Sequence, residues 1–320
     1  MSSFPDRSSS VRPRIAIVTV LYNSAEVLPA FLSSLEQQNT KDWLLIAVDN
    51  NSSDDSVRMV DTWRGGPVEI IHNDTNAGFA VATNQGILLA RAKGFDAVLM
   101  LNNDTEFSAN FMAELADQMI DAAAPVLAPV VLYHGQPDRA WFAGGRFTWT
   151  RGPYQAHHIE QIPPGDAAQW PTEFASGCAL LVAMSVFDRI GLLDEQYFVY
   201  WEDADFCMRC RHAGIAMIVL RHPQVLHHVS VLTGGESSPF SIRMYHRNQI
   251  RFLRKHQGMI LTWAQAPVMI AKAAFRLLAG REPWSATRLR LATIATTLVE
   301  PKVMPIEHHG RGADDQASTA

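Results

Sequence analysis

Short β-branched apolar runs alternate with longer amphipathic stretches through the first 122 residues of this 320-residue chain. Residues 15–20 (IAIVTV) are apolar without interruption, as in a strand covered on both faces. Residues 44–48, 68–71 and 97–101 repeat the pattern. Between them lie helical stretches. One starts near Ser24 and carries Val27, Leu28, Phe31, Leu32 and Leu35 on one stripe; the others span 80–92 and 108–122. This alternation predicts an α/β fold in which helices flank a mostly parallel sheet.

Sheets of that kind bind ligands at the carboxyl ends of their strands. Here those ends read Tyr22-Asn23, Asp49-Asn50-Asn51-Ser52, His72-Asn73-Asp74 and Asn102-Asn103-Asp104. Such polar ends suit a ligand rich in phosphates and hydroxyls. The first strand leads into TVLYNSAEV, with neither G-x-G-x-x-G nor a P-loop, so a phosphate ligand needs another counter-charge. A divalent metal on a carboxylate can supply it, and Asp104 stands where the fourth strand ends. The same Asp104 could equally cap the helix expected near Ser108.

Further along, YWEDADF (200–206) gathers Glu202, Asp203 and Asp205 at a helix start. Capping explains three such carboxylates, and so does a general base held in reach of a hydroxyl. His227-His228 follows a strand-like run at 216–220 and a turn expected at Pro223; one imidazole should face a site and the other turn away. Cys207 and Cys210 lack partners at zinc-site spacing and read as buried helix cysteines. Residues 133–171 are rich in Gly and Pro and read as an excursion or small hairpin, with His157-His158 solvated and 141–149 a hairpin that could serve as an acceptor platform.

A net charge of −5 argues against a nucleic-acid partner. Three cysteines form no disulfide framework, and no 18-residue apolar stretch free of charge occurs, so a cytoplasmic or membrane-surface protein is expected. Residues 243–302 hold eleven Lys/Arg against Glu282 and Glu300, a net +9 (11 minus 2). That segment reads either as a basic amphipathic element on an anionic membrane or as ordinary packing.

The ordered set IAIVTVLYNS (15–24), VDNNSSDDS (48–56), NDTNAGFAVATNQGI (73–87), LMLNNDTEF (99–107), residues 174–214 and VLHHVS (225–230) resembles the family 2 glycosyltransferases of GT-A fold, in their rhamnosyltransferase-like branch. The resemblance implies a GT-A domain over 14–256; composition adds a flexible start at 1–13, a basic helical extension at 257–302 and a polar, disordered tail at 303–320. It implies a sugar-nucleotide donor, dTDP-rhamnose or a UDP-hexose, held by Tyr22, Asn23, Asp49, Asn50, Asn76, Gly78, Asn84 and Asn103. Asp104 and His227 would hold Mg2+ or Mn2+, Asp203 would be the base, and Glu202 would help hold a glycan or lipid-linked acceptor. Transfer would be a single displacement with inversion. Asn102 and Asn50 stand where relatives often carry Asp. A binding-only relative and a sugar-1-phosphate nucleotidyltransferase are the alternatives. The intact Glu202-Asp203 pair opposes the first, and the absence of a glycine-rich basic loop after the first strand opposes the second.

Overall fold

A computed structural model of the chain describes residues 12–121, 124–148, 155–228 and 238–300. The expected tail at 303–320, and all but residues 12 and 13 of the expected flexible start, lie outside the described residues.

The first half follows the predicted alternation: β1 (Ile15–Leu21), α1 (Leu28–Glu36), β2 (Trp43–Asp49), α2 (Ser56–Thr62), β3 (Val68–His72), α3 (Phe79–Ala92) and β4 (Ala97–Leu101). Helix α1 starts later than the stripe suggested, because Ser24 takes the amides of Val27 and Leu28 in a turn before it. Pro29 then occupies the first turn, where a missing N–H costs nothing. β1, β2, β3 and β4 pair in parallel in the order β4-β1-β2-β3. β2 and β4 are buried along their whole length, which is why their sequences are continuously apolar, up to Asp49 at the end of β2, rather than alternating. α3 lies so close over β1 that a Cβ on Gly86 would meet Val18 at 2.5 Å.

Beyond β4 the sheet becomes mixed. β5 (Thr105–Phe107), α4 (Phe111–Asp121), β6 (Val126–Tyr133), β7 (Gln136–Phe142), β8 (Gly145–Thr148), β9 (Gln155–His158), β10 (Gln169–Pro171), β11 (Ala179–Ala183), α5 (Met184–Ile190), α6 (Glu202–His212) and β12 (Met217–His227) follow. Among the described residues the main sheet has ten strands, ordered β10-β12-β6-β11-β4-β1-β2-β3, with β5 joined to β12 and β7 to β6. β11 runs antiparallel to both β4 and β6, while β12 runs parallel to β6. The excursion at 133–171 contains β7 and a separate β8–β9 hairpin.

The turn expected at Pro223 does not occur. β12 continues through it to His227, and the register with β6 shifts between Leu220 and Gln224. A proline has no ladder N–H to give, so a bulge accommodates it and the strand runs on.

Three helices close the described chain: α7 (Pro239–Gln257), α8 (Met259–Leu278) and α9 (Trp284–Val299). Ser238 caps α7 by accepting the Ser241 amide at 3.1 Å. Phe252 and Leu253 of α7 join the main core, while Ile250, Ala266, Met269, Ile294 and Leu298 make a small second core among the three helices. α8 buries Thr262, Ala266, Met269 and Ala273, spaced three or four apart. On the opposite face Ile260 is 87% and Leu278 85% exposed, with Val268 and Phe275 between them also exposed. Among the described residues no helix is long and apolar enough to cross a membrane.

Candidate active site

A cavity of about 960 Å³ opens where β1 and β4 end and α6 begins. Val20 and Tyr22 reach it from the end of β1, and Asn102, Asn103 and Asp104 from the end of β4. Asn76, Gly78 and Phe79 reach it from the start of α3. Gly78 has φ +88°, and a Cβ there would sit 2.6 Å from the Phe198 carbonyl oxygen. Only glycine lets the chain turn into α3 this close to the 198–201 turn.

That turn is strained. Tyr200 (φ 68°) and Trp201 (φ 77°) lie consecutively in the left-handed region immediately before Glu202. Each such residue costs about 1–3 kcal/mol and persists only where its surroundings impose it. Here they do: the Trp201 ring packs on Phe252 and Tyr245 with centroids 5.1 and 5.5 Å apart, and Tyr200 Oη lies 3.1 Å from Ser241 Oγ. The result aims Glu202 and Asp203 into the cavity.

The three acids of α6 separate by environment. Asp205 is fully buried away from the cavity and meets Arg209 at 2.9 Å, Lys255 at 2.8 Å and His256 at 2.8 Å. Burial alone would raise its pKa; these partners outweigh burial and hold it well below the usual carboxylate range. Asp203 accepts the Gly177 amide at 3.2 Å and the Ala204 amide at 2.7 Å. Burial raises its pKa and those amides hold the rise back. Glu202 is pushed well above its usual range, by burial first and then by the Asp203 charge, and its Oε2 is buried without a hydrogen-bond partner. Two adjacent carboxyls are thus driven apart in acidity, with Asp203 the one more readily ionised.

Across Gly177-Cys178 from Asp203 lies a second polar pair. His227 Nε2 is 3.2 Å from Asp104 Oδ1. Asp104 Oδ1 and His227 Nδ1 are both buried without a hydrogen-bond partner. Burial disfavours charge on His227, yet the Cys178 sulfur and the Asp104 carboxylate prevail and raise it to about 10. A pocket that stabilises positive charge there, with buried donor atoms left unsatisfied, fits a divalent cation held by Asp104 and His227. Asp104 does not cap the following helix, because β5 stands between it and α4.

Of the residues singled out from the sequence, Tyr22, Asn50, Asn76, Gly78, Asn103, Asp104, Glu202, Asp203 and His227 line this one cavity. Asn50 and Asn103 do so with amides already engaged, Asn50 on the Gly78 carbonyl at 3.1 Å and Asn103 on the Val20 carbonyl at 2.7 Å. Three stand outside the lining. Asn84 instead donates to the Leu193 carbonyl at 2.9 Å and accepts the Leu193 amide at 3.0 Å. Asp49 accepts the Ser52 amide at 3.1 Å, and Asn23 accepts the Ser53 amide at 2.8 Å. His228 turns away from the cavity towards Glu106.

The cavity also holds Phe240 and Tyr245 of α7, which no sequence motif marked, together with Trp141, from the stretch read as a possible acceptor platform, and His158, which was expected to be solvated. The Trp141 ring meets His227 edge-on at 4.7 Å. His158 is exposed but packs against Trp141 and Phe174 at the cavity wall, and the His157 side chain lies outside the described residues. Cys178, Cys207 and Cys210 are all buried and unpaired, and burial pushes the Cys210 thiol up to about 12.

A mixed α/β sheet with carboxylates and a histidine gathered in a cavity at its strand ends is the kind of site that a group-transfer enzyme presents. The sequence profile of the Glycosyl transferase family 2 matches residues 16–191, and the chain belongs to that family. Relatives include the N-acetylglucosaminyl-diphospho-decaprenol L-rhamnosyltransferase of Mycobacterium tuberculosis, 26% identical over 79% of this chain and 87% of that one. The dTDP-rhamnosyl transferase RfbF of Shigella flexneri is 24% identical over 77% and 82%. In fold the chain resembles GalNAc-T7 crystallised with UDP, GalNAc and Mn2+ (TM-score 0.64, 13% identity, 92% of this chain and 56% of that one). It also resembles the mannosyltransferase PcManGT of Pyrobaculum calidifontis in complex with GDP-Man and Mn2+ (0.55, 13%, 92% and 83%). The protein is a GT-A glycosyltransferase.

Proposed function

We propose that the chain transfers a 6-deoxyhexose, with dTDP-rhamnose as donor, to a hydroxyl of a lipid-linked glycan at a membrane surface. The observation that carries the reading is the meeting of Glu202-Asp203 and Asp104–His227 in one cavity lined by Tyr22 and the start of α3. The donor and acceptor classes come from the two rhamnosyltransferase relatives, one of them named for a decaprenol-linked substrate.

Asp203 accepts the proton of the acceptor hydroxyl on a carboxylate oxygen. The hydroxyl oxygen bonds to the anomeric carbon as the bond to the nucleoside diphosphate breaks, inverting the centre. Glu202, whose pKa is raised by burial and by Asp203, hydrogen-bonds the acceptor. Tyr22 and Asn76 hold the nucleotide, and the open start of α3 favours its anionic phosphates. Asp104 and His227 would hold Mg2+ or Mn2+, which would supply positive charge for the departing diphosphate. Trp141, Phe240 and Tyr245 offer flat faces to a sugar ring.

The membrane enters through α8. Ile260, Val268, Phe275 and Leu278 form an outward apolar face, with Lys272 on the same helix as a cation for anionic headgroups. Its supports are that exposure and the basic character of residues 243–302. The test is incubation with dTDP-rhamnose and a short polyprenyl-diphosphate glycan in Mg2+, the product read by mass and by the anomeric configuration in NMR. An inverted rhamnosyl product is expected. Retention of configuration, or turnover of UDP-hexoses alone, would overturn the mechanism or the donor respectively.

A further inference from the structure

On the side of β12 away from the cavity, three side chains from separate elements converge. Glu106 comes from β5, His134 from the β6–β7 turn and His228 from the residue after β12. His228 Nε2 lies 2.6 Å and His134 Nε2 3.0 Å from the same atom, Glu106 Oε1. The two imidazoles stack with centroids 3.7 Å apart and planes 22° from parallel. None of the three lines the cavity.

We propose that Glu106, His134 and His228 form a second metal site, distinct from Asp104 and His227, that takes a borderline transition ion of the Zn2+ class. Two imidazole nitrogens and a carboxylate oxygen are the donors that such ions prefer, whereas Mg2+ and Ca2+ favour oxygen alone. The three donor atoms all lie within 4.8 Å of one another. Zinc bonds of about 2.0–2.2 Å in a tetrahedron set neighbouring ligand atoms roughly 3.3 Å apart. The 3.0 Å spacing of His134 needs to open by about 0.3 Å and the 2.6 Å spacing of His228 by about 0.7 Å, within the reach of side-chain rotation. His134 is exposed, which gives the ion a path from solvent. Among the described residues no fourth His, Cys, Asp or Glu joins the group.

The site's position gives it a purpose. The His228 amide donates to the Asp104 carbonyl at 2.9 Å, and the His134 amide to the His227 carbonyl at 3.1 Å. An ion bound to these side chains therefore clamps β5, β12 and the end of β6 together, and with them the backbone that carries Asp104 and His227. It would act as a positioning clip and would not touch substrate.

The test uses full-length protein stripped of metal and held in saturating Mg2+, so that the cavity pair is occupied throughout. Zn2+ is then titrated against a chromophoric chelator, with Co2+ absorption of the wild-type protein recorded in parallel. Expected are one zinc bound in the micromolar range or tighter, visible Co2+ bands of a low-coordinate nitrogen–oxygen site, and a zinc-dependent rise in melting temperature. His134→Ala and Glu106→Gln should each weaken zinc binding at least tenfold and abolish that rise, while Asp104→Asn leaves both in place. Wild-type protein that takes up no zinc would overturn the proposal even if the variants fail to fold. So would zinc binding that survives His134→Ala but is lost in Asp104→Asn, which would put the ion in the cavity.

Discussion

The Asn248 side-chain amide donates to the Tyr200 carbonyl oxygen at 3.0 Å and to the Val199 carbonyl at 2.8 Å. A fully buried residue of α7 thereby pins the left-handed turn that aims Glu202 and Asp203. Asn248→Ala should leave two carbonyls unsatisfied and cost about 1–3 kcal/mol of stability. It should also lower kcat at least tenfold while donor Kd changes less than threefold, because the displaced carboxylates act on the acceptor. Asn248→Asp, which keeps the size but lacks the amide donor, should do the same. A variant that loses stability with kcat intact would reduce Asn248 to ordinary packing.

Asp203→Asn should reduce transfer by at least 10³-fold and leave donor binding within a few-fold, since the base works on the acceptor proton. The wild-type pH profile carries the same information. Asp203 must be ionised to accept a proton, and burial raises its pKa above 3.8. Activity should therefore fall on acidification at a higher pH than an ordinary aspartate would allow. Measuring kcat/KM from pH 3 to 8 checks the sign; an acid limb at or below the ordinary value would exclude both Asp203 and Glu202, whose pKa values are raised, and point to a base outside α6.

Asp205 should behave in the opposite way, through stability. Its folded pKa is lowered, so its contribution is present above 3.8 and is lost as pH falls towards the folded value. Asp205→Asn strips a buried carboxylate from Arg209, Lys255 and His256 and should cost about 3–5 kcal/mol at pH 7 by urea denaturation. The gap to wild type should narrow in acid.

These contrasts mark what was legible in the chain before its structure. The parallel half could be read because β1, β2 and β4 are buried on both faces and so are apolar almost throughout, Thr19 and the terminal Asp49 excepted. The antiparallel half carries the same kind of strand without a helical crossover to announce its direction, and Pro223 masked the continuity of β12. At the site, Asp104, Glu202, Asp203 and His227 lie at strand and helix ends, where position alone makes a carboxylate or imidazole informative. Asn84 and Asn248 show why amides were harder. Both are buried donors, but their partners are carbonyls 109 and 48 positions away. No local pattern distinguishes an amide that meets a ligand from one that ties down a distant loop. Phe240 and Tyr245 were hidden for a related reason: α7 reads as basic, and the face it turns to the cavity depends on how it docks.

Metal removal should report on Asp104 and His227 together. Calorimetry of nucleotide binding in Mn2+ should give a well-defined Kd for the wild type that weakens at least tenfold in excess chelator. Asp104→Ala and His227→Ala should each bind the nucleotide weakly with or without Mn2+, so that chelator changes little more. His228→Ala should keep the Mn2+ dependence, because its imidazole faces Glu106. Identical nucleotide affinity in Mn2+ and chelator for the wild type would exclude a cation at this pair.

The outward face of α8 separates membrane docking from simple packing. Burial of Thr262, Ala266, Met269 and Ala273 already satisfies the helix's packing, so the exposed Ile260, Phe275 and Leu278 contribute nothing to the core. Replacing Ile260, Phe275 and Leu278 together by Ser should then leave the melting temperature within about 2 °C, as expected for surface positions. Wild-type protein should co-sediment with vesicles containing phosphatidylglycerol and be released by salt, since the headgroup contribution of the basic residues is screened at high ionic strength. The triple variant should stay in the supernatant at low salt while still turning over a water-soluble acceptor at the wild-type rate. Its loss of activity should appear only with the acceptor embedded in vesicles, where the two-dimensional search is lost. Equal partitioning of both proteins into the supernatant would leave α8 with no role at a membrane.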